Sequence, residues 1–200
     1  MSSRVFITAD THFGHVDALE RFDRPFSDVE AMDLALVEGI NRVVGGDDLL
    51  YHLGDFVGPT PKGVSRTRHA VSIRERIECR RIILVRGNHD PRGKPAFDAL
   101  FESVDDLLSF RGWEDAGRQG EHRVVMAHYG MRIWQGRRDG SLHVHGHTHG
   151  TLPEVGRSTD VGVDCWGLRP RPLGEVLSML ANREIDMDEV NGRVQPVRGD

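Results

Sequence analysis

Five short apolar runs in this 200-residue chain break off at residues whose side chains ligate divalent metals. Val5-Phe6-Ile7-Thr8-Ala9 runs into Asp10-Thr11-His12, and residues 49–53 run into Gly54-Asp55. Residues 81–86 lead to Gly87-Asn88-His89-Asp90, residues 123–127 to His128, and residues 142–145 to Gly146-His147-Thr148-His149. Each run has the length of a strand rather than a helix. No segment alone carries enough ligands for a metal, but the set carries enough for two. The constraint on the fold is therefore that the ends of these strands cluster, as strand ends do in layered α/β domains.

The intervening segments have helical spacing. Ser27-Asp28-Val29-Glu30 reads as a capping box, with Ser27 as the cap and Glu30 reaching back. Val29, Met32, Leu36, Val37, Ile40, Val43 and Val44 then recur on one helical face until Gly45-Gly46. Residues 70–79 give a weaker stripe through Ala70, Ile73 and Ile77, and residues 95–101 a short helix. Residues 104–110 and 123–127 are expected as strands on either side of a Gly-rich turn region, and residues 160–165 as a last strand. Pro172 suits a first helical position before the stripe Leu173, Val176, Leu177 and Leu180. The order predicts one α/β domain over residues 1–182, two sheets with outer helices. Residues 183–200 lack periodicity and are expected as a C-terminal extension.

Composition excludes more than it selects. No apolar run reaches the roughly 18 residues of a membrane-spanning helix. The N-terminal run lacks a signal-peptide pattern, so a cytoplasmic protein is expected. Cys79 and Cys165 have no CxxC partner, which argues against a disulfide framework and a thiolate zinc site. A net charge of −5 disfavours coating nucleic acid through bulk charge.

Residue by residue the signals differ in strength. Asp10 and His12, two apart at a strand end, can point the same way, but an Asp-x-His pair is also an ordinary loop hydrogen bond. Asp55 is a carboxylate able to bridge two cations, each oxygen holding one; it is also a common helix cap. Asn88 offers a neutral oxygen, and His89 can move a proton. Asp90 can orient His89 or cap the following turn. His143, His145, His147 and His149 at period two share one face of a regular strand; His147 and His149 are taken as ligands, His143 and His145 as structural.

The ordered set Asp-x-His, Gly-Asp, Gly-Asn-His-Asp, His and Gly-His-Thr-His resembles the calcineurin-like metallophosphoesterases over about residues 4–170. The segments Asp10-Thr11-His12-Phe13-Gly14-His15, Arg24-Pro25-Phe26 and Tyr51-His52-Leu53-Gly54-Asp55-Phe56 are similar to a small bacterial and phage branch of predicted phosphoesterases. The resemblance implies a four-layer α/β/β/α sandwich with two mixed sheets. It implies a first metal held by Asp10, His12 and His149, and a second by Asn88, His128 and His147. Asp55 would bridge the two, and His89 would be the catalytic histidine by the leaving group. After Gly54-Asp55 the chain continues Phe56-Val57-Gly58-Pro59. It lacks the second Asp and the Arg of the protein phosphatase branch.

The expected reaction is hydrolysis of a phosphoester by direct attack of a metal-bridging hydroxide, with inversion at phosphorus. Mixed N and O ligands suit Mn²⁺, Fe, Zn²⁺ or Co²⁺, with Mn²⁺ expected to serve in vitro. One domain of this size favours a small phosphodiester or nucleotide as substrate. Arg92, Tyr129, Arg132 and His15 are the candidate substrate contacts; Arg86 and Lys94 could also meet a phosphate. Three rivals stand beside this reading: a nuclease binding strands through Arg132, Arg137 and Arg138, a phosphomonoesterase, and a non-catalytic binding protein on the same fold.

Overall fold

The computed structural model describes residues 3–115 and 117–185. In chain order the elements are β1 (Val5–Thr8), α1 (Ala18–Arg21), α2 (Val29–Val43), β2 (Leu49–His52), α3 (Arg66–Arg74), β3 (Arg81–Val85) and α4 (Pro95–Asp98). There follow β4 (Ser103–Asp105), β5 (Leu107–Asp115), β6 (Arg118–Ala127), β7 (Leu142–His145), β8 (Ser158–Asp160), β9 (Arg171–Pro172) and α5 (Leu173–Ala181). Two mixed sheets form, ordered β4-β3-β2-β1-β9 and β5-β6-β7-β8. The first is parallel except for β9; in the second only the β5–β6 pair is antiparallel. This is the expected α/β architecture of two mixed sheets with flanking helices.

Alternation along the strands divides the interior into two cores. Phe6, Leu50, Ile82 and Leu84 face the helices, meeting Met32, Leu36 and Ile40 of α2, Ile73 of α3 and Phe97 of α4. Ile7 and Val85 face the other way, toward Val124 and Met126 of β6, Leu142 and Val144 of β7, and the α5 stripe Val176, Leu177 and Leu180. Truncating one such residue, as in Leu36→Ala, costs about 2–5 kcal/mol.

Register places the site. Thr8 lies opposite His52, and His52 opposite Leu84, so the carboxyl ends of β1, β2 and β3 stop level with one another. An isolated bridge from Ala9 to Gly162 and the bond from Gly146 N to His128 O bring the ends of the second sheet to the same edge.

Several local expectations shift. The cap of α2 is Asp28, not Ser27: Asp28 Oδ1 accepts from Ala31 N at 2.8 Å, and Ser27 Oγ donates to Asp28 Oδ2. Ser and Asp cap about equally well, and here it is Asp28 whose extended backbone (φ −158°, ψ 173°) sets its side chain against the first-turn N–H groups. α3 begins earlier than its stripe suggests, because Ser65 caps it. Residues 104–110 are two strands, β4 in the first sheet and β5 in the second; the crossing falls at Asp105-Asp106, where two strand-disfavouring residues interrupt the run. Residues 160–165 end as a 3₁₀ turn at Val163–Cys165. Within the described residues no helix is long and apolar enough to cross a membrane. Of the expected extension, residues 186–200 lie outside the described residues. Arg183 is tied down, pairing with Glu154 at 2.6 Å and accepting from Arg157 Nε at 2.9 Å.

Candidate metal centre

The candidate ligands do not stand on the strands; they stand on the turns just beyond them. Seven described non-glycine residues have left-handed backbone, and five are Asp10 (φ 59), His12 (52), Asp55 (52), His147 (71) and His149 (47). Such a conformation costs about 1–3 kcal/mol per residue and persists only where the surroundings enforce it. Two sequence expectations are corrected here. Asp10 and His12 share a direction because both sit in left-handed turns, not through strand period, since β1 stops at Thr8. The four-histidine column likewise breaks at His145, where β7 ends.

Glycine lets the turns approach. A Cβ on Gly87 would lie 2.2 Å from both N and Oδ1 of Asp55, and one on Gly54 would lie 2.6 Å from His128 Nδ1. Asp90 then laces the two turns together. Its Oδ1 accepts from Phe56 N and Val57 N, and its Oδ2 from Asp55 N and Gly87 N, at 2.9–3.3 Å. Asp90 is therefore a clamp on the backbone of the Asp55 turn.

Ligand-type atoms gather in groups whose members lie within 4.8 Å of one another: Asp10, His12 and His149; Asp55, His128 and His147; and His12, Asp55 and His89. Asn88 Oδ1 joins the second group, 3.0 Å from His128 Nε2. Asp55 stands between the groups, its Oδ2 3.5 Å from both His12 Nε2 and His128 Nε2. Its Oδ1 turns away to accept from His89 N at 2.8 Å. The expectation that each carboxylate oxygen faces its own cation is thus revised: one oxygen faces both groups.

Hydrogen bonds aim the rings. His128 Nδ1 meets Leu53 O at 2.8 Å, and His149 Nδ1 meets Asp164 Oδ2 at 2.7 Å. His12 Nδ1 meets His15 Nδ1 at 3.1 Å. In all three the outer nitrogen is engaged and Nε2 turns inward, the arrangement that prepares imidazole as a metal ligand. Asp10 Oδ2 accepts from His147 N at 2.8 Å. Asp10 Oδ1 and His12 Nε2 are buried and have no hydrogen-bond partner among the described residues. A buried orphan of this kind costs about 1–3 kcal/mol. Two at one locus, with carboxylates and lone-pair nitrogens around them, fit a cation.

The electrostatics agree. Burial, reinforced by Asp160 and Asp55, pushes Asp10 well above the usual carboxylate range, with His128 opposing it. Burial takes His12 down to about 2, so its imidazole is neutral and its lone pair available. Burial works against a charge on His128 too, but Asp55 and Asp10 outweigh it and lift His128 to about 9. The pocket thus draws in positive charge, a proton or a metal.

Sequence reading missed three members of this site, Arg24, Asp164 and Phe22. Arg24 is buried and bonds Asp164 twice while donating to the carbonyls of Asp10 and Thr11 at 2.6 and 2.8 Å. The Asp164 it holds is the carboxylate that orients His149. Phe22 lies flat on the His149 ring, centroids 3.4 Å apart. Residues 24–26 were legible as a motif, but nothing local signals their partner.

The remaining candidates divide between this centre and the surface. His89, half-buried, lies with Nε2 3.9 Å from Asp55 Oδ2, and Arg66 holds its carbonyl at 2.8 Å. His15 is buried, its ring 5.6 Å from that of His89. Tyr129 is exposed, its ring 4.6 Å from that of His147. Arg92 pairs on the surface with Asp106 at 3.2 Å, away from these groups' contacts. Arg132 lies on the rim of a neighbouring cavity. Arg86 is engaged with Asp98 at 2.7 Å. His143 is a brace, bonded to Val125 O at 3.0 Å and to Met131 N at 3.1 Å.

Known proteins resemble this chain in sequence and in fold. The calcineurin-like phosphoesterase family matches residues 3–162. The gene 66 protein of Mycobacterium phage L5 is 31% identical over 191 residues, covering 82% of this chain and 88% of the phage protein. An uncharacterized protein of Methanocaldococcus jannaschii is 36% identical over 93 residues, 46% of this chain; the match spans about half (49%) of that protein's length. A protein of unknown function from Aquifex aeolicus superposes with a TM-score of 0.63 at 21% identity, covering 89% of this chain and all of the other, a likeness of fold.

Proposed function

The chain belongs to the calcineurin-like phosphoesterases, metal-dependent hydrolases of phosphoric esters, and from that premise we propose that it cleaves a small phosphodiester, a nucleotide among them, at a two-cation centre. The observation that carries the reading is Asp55 Oδ2, equidistant from His12 and His128, with Asp10 Oδ1 and His12 Nε2 orphaned beside it. Asp10, His12, Asp55 and His149 would hold one ion; Asp55, Asn88, His128 and His147 would hold the other. Ions of this kind acidify water and neutralise phosphate oxygens. Mn²⁺ is the ion we expect to serve in vitro, with Fe, Zn²⁺ or Co²⁺ as alternatives.

The protein's own groups do the rest. His89 is the proton donor to the departing oxygen. It stands at the rim, half-buried, and burial lowers its pKa, which makes its protonated form a better acid. The bond from His89 N to Asp55 Oδ1 fixes the ring's base to the same carboxylate that joins the two groups, so donor and phosphorus are positioned from one anchor. Arg24 and Asp164 keep His149 in one tautomer. A single displacement needs no covalent phosphoenzyme, and inversion at phosphorus follows. A cytoplasmic setting goes with the two free cysteines.

The test is a panel on the metal-supplemented protein: a generic phosphodiester, a phosphomonoester, 2′,3′-cyclic nucleotides and single-stranded nucleic acid, with Asp55→Ala as the control. Turnover of the small diesters, absent in the control, is the expected result. Cleavage confined to nucleic acid, falling with salt, would make the protein a nuclease. Turnover of the monoester alone would make it a phosphomonoesterase, and no turnover of any of them would leave a binding protein.

A further inference from the structure

The ligand-bearing loops do not end at the metal centre; three of them run on into one cavity. His128 is followed by Tyr129 and then Gly130 to Trp134, His147 is preceded by His145, and His149 is followed by Leu152 to Val155. These continuations line a cavity of about 310 Å³ that includes His145, Trp134, Leu152 and Val155. Chain length sets its distance: the two residue steps between His145 and His147 span at most about 7 Å. The volume sits at the small end for ligand pockets, about 300–1,000 Å³, and suits one ring system rather than a polymer.

The lining is built for a flat, partly polar guest. Trp134, His143 and His145 form a column of rings with centroids 5.1 and 5.3 Å apart, and His145 lines the cavity. His145 is 3% exposed. Its Nδ1 must donate, since its partner at 2.9 Å is the carbonyl of Gly146. That leaves Nε2 as an acceptor. Leu152 and Val155 of the lining are 46 and 51% exposed, and Tyr129 and Ile133, in the same loop as Gly130 and Trp134, are 51 and 74% exposed; together they are half of the large apolar side chains exposed in the described chain. Arg137 lies over the Trp134 ring at 5.4 Å. A largely apolar slot with an imidazole acceptor in its lining, next to a phosphoester centre, matches the chemistry of a nucleobase: two faces to cover and an N–H edge to satisfy.

We infer that this cavity is the base subsite of a nucleotide substrate, with Tyr129 as the partition between base and phosphoester. The inference rests on the phosphodiesterase reading for what lies at the metal centre, but binding tests it separately. Isothermal titration of the full-length, Mn²⁺-loaded protein compares adenosine 5′-monophosphate with inorganic phosphate. The expected result is that the nucleotide binds at least about tenfold more tightly. Leu152→Trp, which fills the slot from its rim, is expected to remove that margin and leave phosphate binding within about twofold. Val155→Trp repeats the test from a second lining residue, in case the first variant fails to fold. Equal affinity for nucleotide and phosphate, or a margin untouched by both folded variants, overturns the subsite. Absence of hydrolysis in the substrate panel overturns the catalytic reading alone.

Discussion

Arg24 grips Asp164 with two parallel bonds, Nε to Oδ1 and Nη2 to Oδ2, each 2.8 Å, across 140 residues of chain. Burial pushes the Asp164 carboxyl upward, but His149 and Arg24 outweigh it and hold Asp164 below the usual carboxylate range. The pair thus keeps a carboxylate ionised behind His149 and, through the carbonyls of Asp10 and Thr11, fixes a left-handed turn. Arg24→Lys keeps the charge and loses the fork. It is expected to weaken one of the two metal equivalents about 10–100-fold, the usual cost of losing an orienting partner. Metal titration with stoichiometry by elemental analysis reads this; two unaltered equivalents would reduce Arg24 to a packing role.

Proton linkage at His128 gives a pH dependence with a definite sign. With its folded-state pKa raised to about 9, His128 carries a proton in the metal-free protein across the neutral range. That proton stabilises the metal-free fold below the ordinary histidine value near 6.5, and the contribution is lost as pH rises through about 9. A metal ion needs the neutral ring, so binding must expel the proton. Mn²⁺ affinity is therefore expected to rise about tenfold per pH unit between about pH 6.5 and 8.5. Calorimetry in buffers of different ionisation enthalpy should count at least one proton released. A flat affinity over that window would place the proton elsewhere.

His89 can be separated from the ligands by its leaving-group dependence. A proton donor matters when the departing oxygen is basic and hardly at all when it leaves as a stable anion. His89→Ala is expected to keep both metal equivalents and to lose about 10²–10⁴-fold in kcat on an alkyl ester. The loss on a nitrophenyl ester should be far smaller. Because His12, Asp55 and His89 also form a compact group, loss of metal in this variant would count His89 as a ligand instead.

What the sequence disclosed was residue type and order. Asp10, Asp55, Asn88, His128, His147 and His149 could be named because each follows an apolar strand and because their order resembles one family; strands of one layered domain end along shared edges. The reasons their side chains converge were hidden. Left-handed backbone at an Asp or His leaves no mark on composition, so strand period was a natural but wrong explanation for Asp10 and His12. Arg24 and Asp164 meet only through the fold, and no local pattern joins residues 140 apart. The shift of the α2 cap from Ser27 to Asp28 has the same origin on a smaller scale: both are good caps, and the contest is decided by turn geometry.

Asp90 gives a prediction about the fold of the site without its metals. Both of its oxygens accept two backbone N–H groups, tying the Asp55 turn to Gly87. In Asp90→Asn one oxygen becomes an NH₂ and faces two N–H donors, so two bonds become repulsive contacts rather than weaker ones. Losing one charge-assisted bond of this kind costs about 1.5–3 kcal/mol, and a chain of this size shifts by about 2–4 °C per kcal/mol. Thermal unfolding of the protein in excess chelator is therefore expected to fall by at least about 5 °C. Chelator matters, because a bound ion would mask the loss by holding the same turn from the other side. Should Asp90→Asn unfold at the wild-type temperature under those conditions, the turn is held by the packing of Leu53 and Phe56 and not by the carboxylate.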